Sequence, residues 1–266
     1  MNSLHDRVAL VTGGTGGIGA GIAIRLAARG AKVVINGRDE AKARAVIETI
    51  QALGGEAHFA AGDVRSQSDM EAVASEAVRR FGGIDIVVAN AGGNDDEARQ
   101  REVRGPFASI DLARVTNFIG QAVAAKLLVV QAAIPHMRKR GGGSVVFVTS
   151  EGGRSPTPGQ TAIATFSGGL LMASKVLSKE LAREKIRVNC VCVTVVRDTP
   201  SWDAAFVREG EISEHHRRQY EKIVAGSPLG VAGPQDIGAV VAFLASDEAA
   251  YLTGAVVSPT GGLTIH

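Results

Sequence analysis

The stretch Val8–Gly19, VALVTGGTGGIG, decides the fold. Val8, Ala9, Leu10 and Val11 make an apolar run of strand length, and the glycine-rich segment behind them opens into the helical pattern Ile18–Arg29. The order is strand, tight turn, helix start. Gly13 suits a left-handed turn, Gly17 leaves room for a pyrophosphate against the backbone, and Gly19 lets the helix lie close to the sheet. Thr15 and Ile18, in the same turn, complete its candidate cofactor contacts. A helix beginning there faces phosphates with unpaired N–H groups and the positive end of its dipole. The spacing, Gly-x-x-x-Gly-x-Gly after Thr12, is not the commonest dinucleotide fingerprint, so the remainder of the chain has to support it.

Outward from this turn, Ala31–Asn36 is a second apolar strand, and a helix follows from about Glu40 to Leu53. In such a unit the tip of the second strand lies beside the adenosine ribose, where a carboxylate suits the 2′-hydroxyl and a basic group suits a 2′-phosphate. Gly37 followed by Arg38 therefore favours NADP, with NAD as the alternative. Strands are expected at Ala57–Ala61, Ile84–Ala89, Ser144–Thr149, Ile186–Val196 and Ala255–Ser258. Helices are expected over Gln67–Phe81, Arg114–Lys139, Leu170–Arg183 and Pro234–Ala245, with loop across most of Gly152–Gly169. Strands apolar on both faces mark a parallel sheet covered by helices on both sides. The expectation is a single doubly wound α/β domain with a parallel sheet, its ligand at the carboxyl ends of the strands. A polar excursion at 93–113 and an insertion at 197–230 stand where a substrate would be walled.

Composition narrows the function. The chain has 266 residues, 45% hydrophobic and 21% charged, which suits one large soluble domain. A net charge of +2 from 29 basic and 27 acidic side chains argues against nucleic acid as a partner. The N-terminal MNSLHDRVAL has no secretory pattern, and no apolar run reaches the roughly 18 residues of a membrane span, so a cytoplasmic protein is expected. Cys190 and Cys192, two apart in VNCVCV, share one strand face and read as reduced core residues.

The chain resembles the short-chain dehydrogenase/reductase family. The residues that carry the likeness are TGGTGGIG at 12–19, GDV at 62–64, NAG at 90–92, Ser150 after a strand, ASK at 173–175, IRVN at 186–189, PLG at 228–230 and FLASDEAAYLTG at 243–254. The resemblance implies a single Rossmann-type domain with strand order 3-2-1-4-5-6-7, a homotetramer, and hydride transfer between NAD(P) and a small carbonyl or alcohol substrate. It further implies cofactor roles for Asp63 and Val64 at the adenine, for the turn Asn90, Ala91 and Gly92, and for Lys175 at the nicotinamide ribose.

The family's chemistry uses Asn, Ser, Tyr and Lys, with Tyr-x-x-x-Lys spacing. Counting back four from Lys175 reaches Leu171, not a phenol, and aligning VVQAAIPHM at 129–137 puts Ala122 in place of the Asn. Ser150 and Lys175 are read as the retained catalytic pair, 25 residues apart where the family pattern has about 17. Val193-Thr194 replaces the usual Pro-Gly. Carbonyl reduction needs a proton delivered as hydride arrives; an ammonium can pull a tyrosine of pKa near 10 towards neutrality, and leucine cannot substitute. Candidate stand-ins are Glu151, Thr161, Thr165, Ser167, His215, His216 and Tyr220, while Tyr251, His58 and His136 read as structural. The run His215-His216-Arg217-Arg218 would also suit an anionic substrate. Two functions follow: an NADP-linked oxidoreductase with an unusual proton donor, or a cofactor-binding relative without hydride transfer, whether a sensor or scaffold or an enzyme of lyase or isomerase chemistry.

Overall fold

In the computed structural model, which describes residues 4–92, 102–208, 212 and 214–266, seven parallel strands form one sheet in the order β3-β2-β1-β4-β5-β6-β7. The strands are β1 (Val8–Thr12), β2 (Lys32–Gly37), β3 (Glu56–Ala61), β4 (Ile86–Ala89), β5 (Gly143–Ser150), β6 (Ile186–Val193) and β7 (Val256–Val257). Between them run α1 (Gly17–Ala28), α2 (Glu40–Ala52), α3 (Gln67–Phe81), α4 (Leu112–Lys139) and α5 (Thr161–Leu181). Beyond β6 come α6 (Pro200–Phe206), α7 (Glu214–Ala225) and α8 (Pro234–Ala245).

Both faces of the sheet are buried, which is why its strands read as unbroken apolar runs. Leu10, Val87, Val145 and Phe147 point into a core shared with α3, α4 and α5. Ala9, Val11, Val88 and Val146 point into a second core shared with α1, α2 and α8. Val11 pairs with Ile35 of β2 on one side and Val88 of β4 on the other, so β1 is central and the chain reverses direction of winding beside it. That switch point opens a crevice at the strands' carboxyl ends.

Three expectations need correction. First, the segment Gly152–Gly169 is not mainly loop, because α5 begins at Thr161. The Gly168-Gly169 pair reads locally as a breaker, but Gly153 packs against this helix so tightly that a Cβ on it would lie 2.8 Å from Gly168 N and Ser167 Cβ. Small residues here serve close approach, not termination. Second, β6 ends at Val193, and the chain then forms α6 and α7, whose Trp202, Phe206 and Tyr220 join a small separate core. Third, two helices, Leu112–Lys139 and Thr161–Glu184, are long and apolar enough to cross a membrane. Both lie on the sheet, with Val129, Ala133, Met137 and Leu170 in its core. The excursion expected at 93–113 falls partly outside the described residues, as do 209–211 and 213 of the insertion.

Candidate active site

A cleft of about 450 Å³ runs along the carboxyl ends of the strands, from Arg38 past the glycine turn to Ser150 and Tyr220. Its floor is made by the segment quoted first. Gly13 and Gly17 hold φ of 64° and 49°, a region that side chains with a Cβ resist. A Cβ on Gly19 would stand 2.0 Å from the Gly13 carbonyl oxygen, so α1 can sit on β1 only with glycine there. Asp39, Ser66 and Asp111 cap α2, α3 and α4 with their side chains, whereas Gly16 before α1 offers none. The first N–H groups of α1 are thus left for a ligand.

Thr12 and Asn90 join β1 to β4. Thr12 Oγ1 accepts the N–H groups of Asn90 (3.0 Å) and Ala91 (3.1 Å), and Asn90 Nδ2 donates to the Thr12 carbonyl at 3.1 Å. Gly92, at φ 92°, leaves no space for a Cβ beside Ala125. On the opposite flank Asn36 Nδ2 donates to the Ala60 and Gly62 carbonyls, both at 3.1 Å, while its buried Oδ1 has no protein partner. Arg38 and Lys42 bring positive charge to this end, and Gly37 is crossed by Thr15, whose Cγ2 would be 2.5 Å from an added Cβ. Asp63 is gripped by Arg65 through Nη2 (2.6 Å) and Nε (2.9 Å); that pairing, helped by Arg38, lowers its pKa from 3.8 to about 2. Gly13, Thr15, Gly17, Ile18, Gly19, Arg38, Asp63, Val64, Asn90, Ala91 and Gly92 all line the cleft.

The other end departs from expectation. Ser150 closes β5 within the cleft, its Oγ accepting the Gly152 N–H at 3.1 Å. Lys175 does not join it: this lysine is exposed on α5 and outside the cleft wall. Leu171 packs against the core, also away from the cleft. Because α5 starts nine residues before the expected Leu170, the residues that meet β5 come from its first turns. Ile163 Cγ2 and Ser150 Oγ both lie within 3.5 Å of the point where a Cβ on Gly152 would stand. Ser167, four residues on, is buried and accepts a hydrogen bond from Thr149 Oγ1 at 3.1 Å. It stands 17 residues beyond Ser150, the separation that the family pattern implies for its lysine. The residues of α5 beside the end of β5 are thus Ile163 and Ser167.

Sequence reasoning missed Lys126. It is 1% exposed, on the same face of α4 as Ala122 one turn earlier, and its ammonium donates to the carbonyls of Asn90 (2.8 Å), Ala91 (3.2 Å) and Ala89 (3.4 Å). The signal was a lone charge in the apolar stretch VAAKLLVV. Tyr220, Trp202 and Thr199 also line this end, with Tyr220 8% exposed and edge-on to His216.

Of the other candidates, Thr161 is exposed at the start of α5. Glu151 is buried, its Oε1 bonded by Thr264 Oγ1 (3.1 Å) and His266. Thr165 donates to the Thr161 carbonyl at 2.8 Å on an exposed face. His216 contacts Arg104, Arg218 pairs with Glu214, and the His215 side chain lies outside the described residues. His58 bonds Glu76 at 2.7 Å, and burial lowers the pKa of His136. Cys190 and Cys192 are free and buried; the neighbouring thiol and burial push Cys192 far up. Among the described residues no group of side chains could hold a metal.

A family model described as enoyl-(acyl carrier protein) reductase matches residues 13–264. Human dehydrogenase/reductase SDR family member 4 is 34% identical over 264 residues, covering 97% of this chain and 88% of its own. The 3-oxoacyl-(acyl-carrier-protein) reductase of Chlamydia muridarum is 34% identical over 269 residues, covering 99% and 100%. Among solved structures, levodione reductase superposes with a TM-score of 0.86 at 28% identity, covering 97% of this chain and 98% of that one. A 7α-hydroxysteroid dehydrogenase, complexed with NADH and 7-oxo glycochenodeoxycholic acid, gives 0.84 at 28% identity, covering 97% and 94%.

Proposed function

The chain belongs to the short-chain dehydrogenase/reductase family of oxidoreductases, and on that premise we propose that it is a cytoplasmic, NADP-preferring enzyme acting on a small carbonyl or alcohol. The observation that carries this reading is that the glycine turn, Arg38, Asp63, the Asn90–Gly92 turn and Ser150 share one cleft. These residues fit a nicotinamide dinucleotide: the uncapped start of α1 takes the pyrophosphate, Arg38 and Lys42 take a 2′-phosphate, and the partnerless Asn36 Oδ1 offers an acceptor between them. Bound there, the dinucleotide supplies or accepts the hydride. Ser150 Oγ hydrogen-bonds the substrate oxygen and stabilises the charge that develops on it, and the resulting alkoxide takes its proton from solvent water. Trp202, Phe166 and Tyr220 wall the substrate side.

Self-association fits the apolar side chains left exposed, Leu112, Met172 and Val176 on α4 and α5, and Leu229, Tyr251 and Ile265 near the C-terminal end. A homotetramer is the proposed assembly, and sedimentation velocity tests it.

Ile163 and Ser167 favour a second reading, in which the dinucleotide is held and hydride does not move. The two separate when NADPH is mixed with a panel of ketones and aldehydes and nicotinamide absorbance is followed. The oxidoreductase reading expects turnover that Ser150→Ala removes. Saturable NADPH binding with no oxidation by any carbonyl would overturn it in favour of the second.

A further inference from the structure

We propose that Lys126 is the cofactor-facing cation of the cleft's reaction end, and that its ammonium hydrogen-bonds the ribose of the nicotinamide half of the dinucleotide. The inference rests on the cofactor reading above and adds a residue to it. The basic side chains that line the cleft are Arg38, Lys42 and Lys126. Two of them lie beyond β2, at the adenosine end. Lys126 alone of the three reaches the flank formed by β4 and β5, since its Nζ is 2.8 Å from the Asn90 carbonyl and Asn90 directly follows β4.

A lysine that is 1% exposed has given up most of its hydration, so groups close by must offset its charge. The carbonyl dipoles of Ala89, Asn90 and Ala91 fix the ammonium beneath the turn that borders the cleft. A charge so fixed makes a stronger donor to a hydroxyl than a neutral group would, because little water screens it. Ala122, one turn before it on α4, is small, and Ser167 on α5 is buried and accepts from Thr149 Oγ1. Neither lines the cleft, and Lys175 is exposed on α5 outside its wall. The positive charge that the resemblance assigns to α5 is delivered here from α4.

The rival explanation is that Lys126 only staples the Asn90–Gly92 turn. Fluorescence titrations of NADPH, and calorimetric titrations of 2′,5′-ADP, into wild type, Lys126→Met and Lys126→Gln separate the two, with thermal melts beside them. Adenosine 2′,5′-bisphosphate lacks the nicotinamide half, and glutamine keeps a donor for the staple while removing the charge. The proposal expects both variants to bind NADPH roughly ten- to hundredfold more weakly while 2′,5′-ADP affinity stays within about twofold. Unchanged NADPH affinity in the folded Gln variant would overturn it. So would equal weakening of both ligands, or loss of folding in both variants, since each marks a structural staple. Wild-type protein that binds neither ligand would instead overturn the cofactor reading on which the proposal stands.

Discussion

The two ends of the cleft are made of different material. At the end proposed for adenosine the surfaces offered to a ligand are largely backbone: the turn through Gly13 and Gly17, the bare start of α1, and the close approach at Gly19. At the reaction end they are side chains, Ser150, Lys126, Phe166 and Tyr220, delivered by four separate elements or their ends. Backbone surfaces demand glycine at set spacings and leave a pattern in the chain. Side-chain surfaces depend on where each helix begins and how it is rotated, and a shift of eight residues along α5 exchanges an exposed lysine for a buried serine.

Substitutions at each end should fail in different ways. Ser150→Ala is expected to lower turnover by about 10²–10³-fold with NADPH affinity retained, as for removal of one donor to a developing oxyanion; steady-state rates and fluorescence titration check it. Equal loss of affinity would erase the distinction between the ends. Gly19→Ala should do the reverse, weakening NADPH about a hundredfold or more because its Cβ would overlap the Gly13 carbonyl. Arg38→Ala should cost NADPH about tenfold and leave NADH nearly untouched, since only the former carries the 2′-phosphate; paired titrations read the ratio.

Smaller effects sharpen the picture. Asp63 titrates at about 2 in the folded chain against 3.8 ordinarily, so its pairing with Arg65 stabilises the fold fully above pH 3.8 and is lost as pH falls through 2. The pair is about a third exposed, so Asp63→Asn should flatten this acid limb by less than about 1 kcal/mol, measured as Tm against pH. Lys175→Ala should change neither turnover nor affinity, because its side chain is exposed outside the cleft.

The fold was legible because strand runs and helix starts are local. Asp39 and Ser66 mark their helices by capping them, and the apolar strands reveal a sheet covered on both sides. The glycine turn at the head of α1 was legible for the same reason. At the reaction end a match to ASK at 173–175 competed with the true beginning of α5, and the Gly168-Gly169 pair tipped the reading towards loop. Only packing shows that the helix runs through them and that Gly153 lies close against its Ser167-Gly168 turn. Lys126 went unread because α4 has the periodicity of a core helix, and its one buried charge meets a turn some 35 residues earlier in the chain.

The most direct test of the account is a crystal structure of the wild-type chain with NADPH. It should place the 2′-phosphate against Arg38 and the nicotinamide beside Ser150, with Ile163 where a phenol would stand and Lys175 in solvent. A dinucleotide excluded from the cleft, or Lys175 drawn in to the ribose, would contradict it.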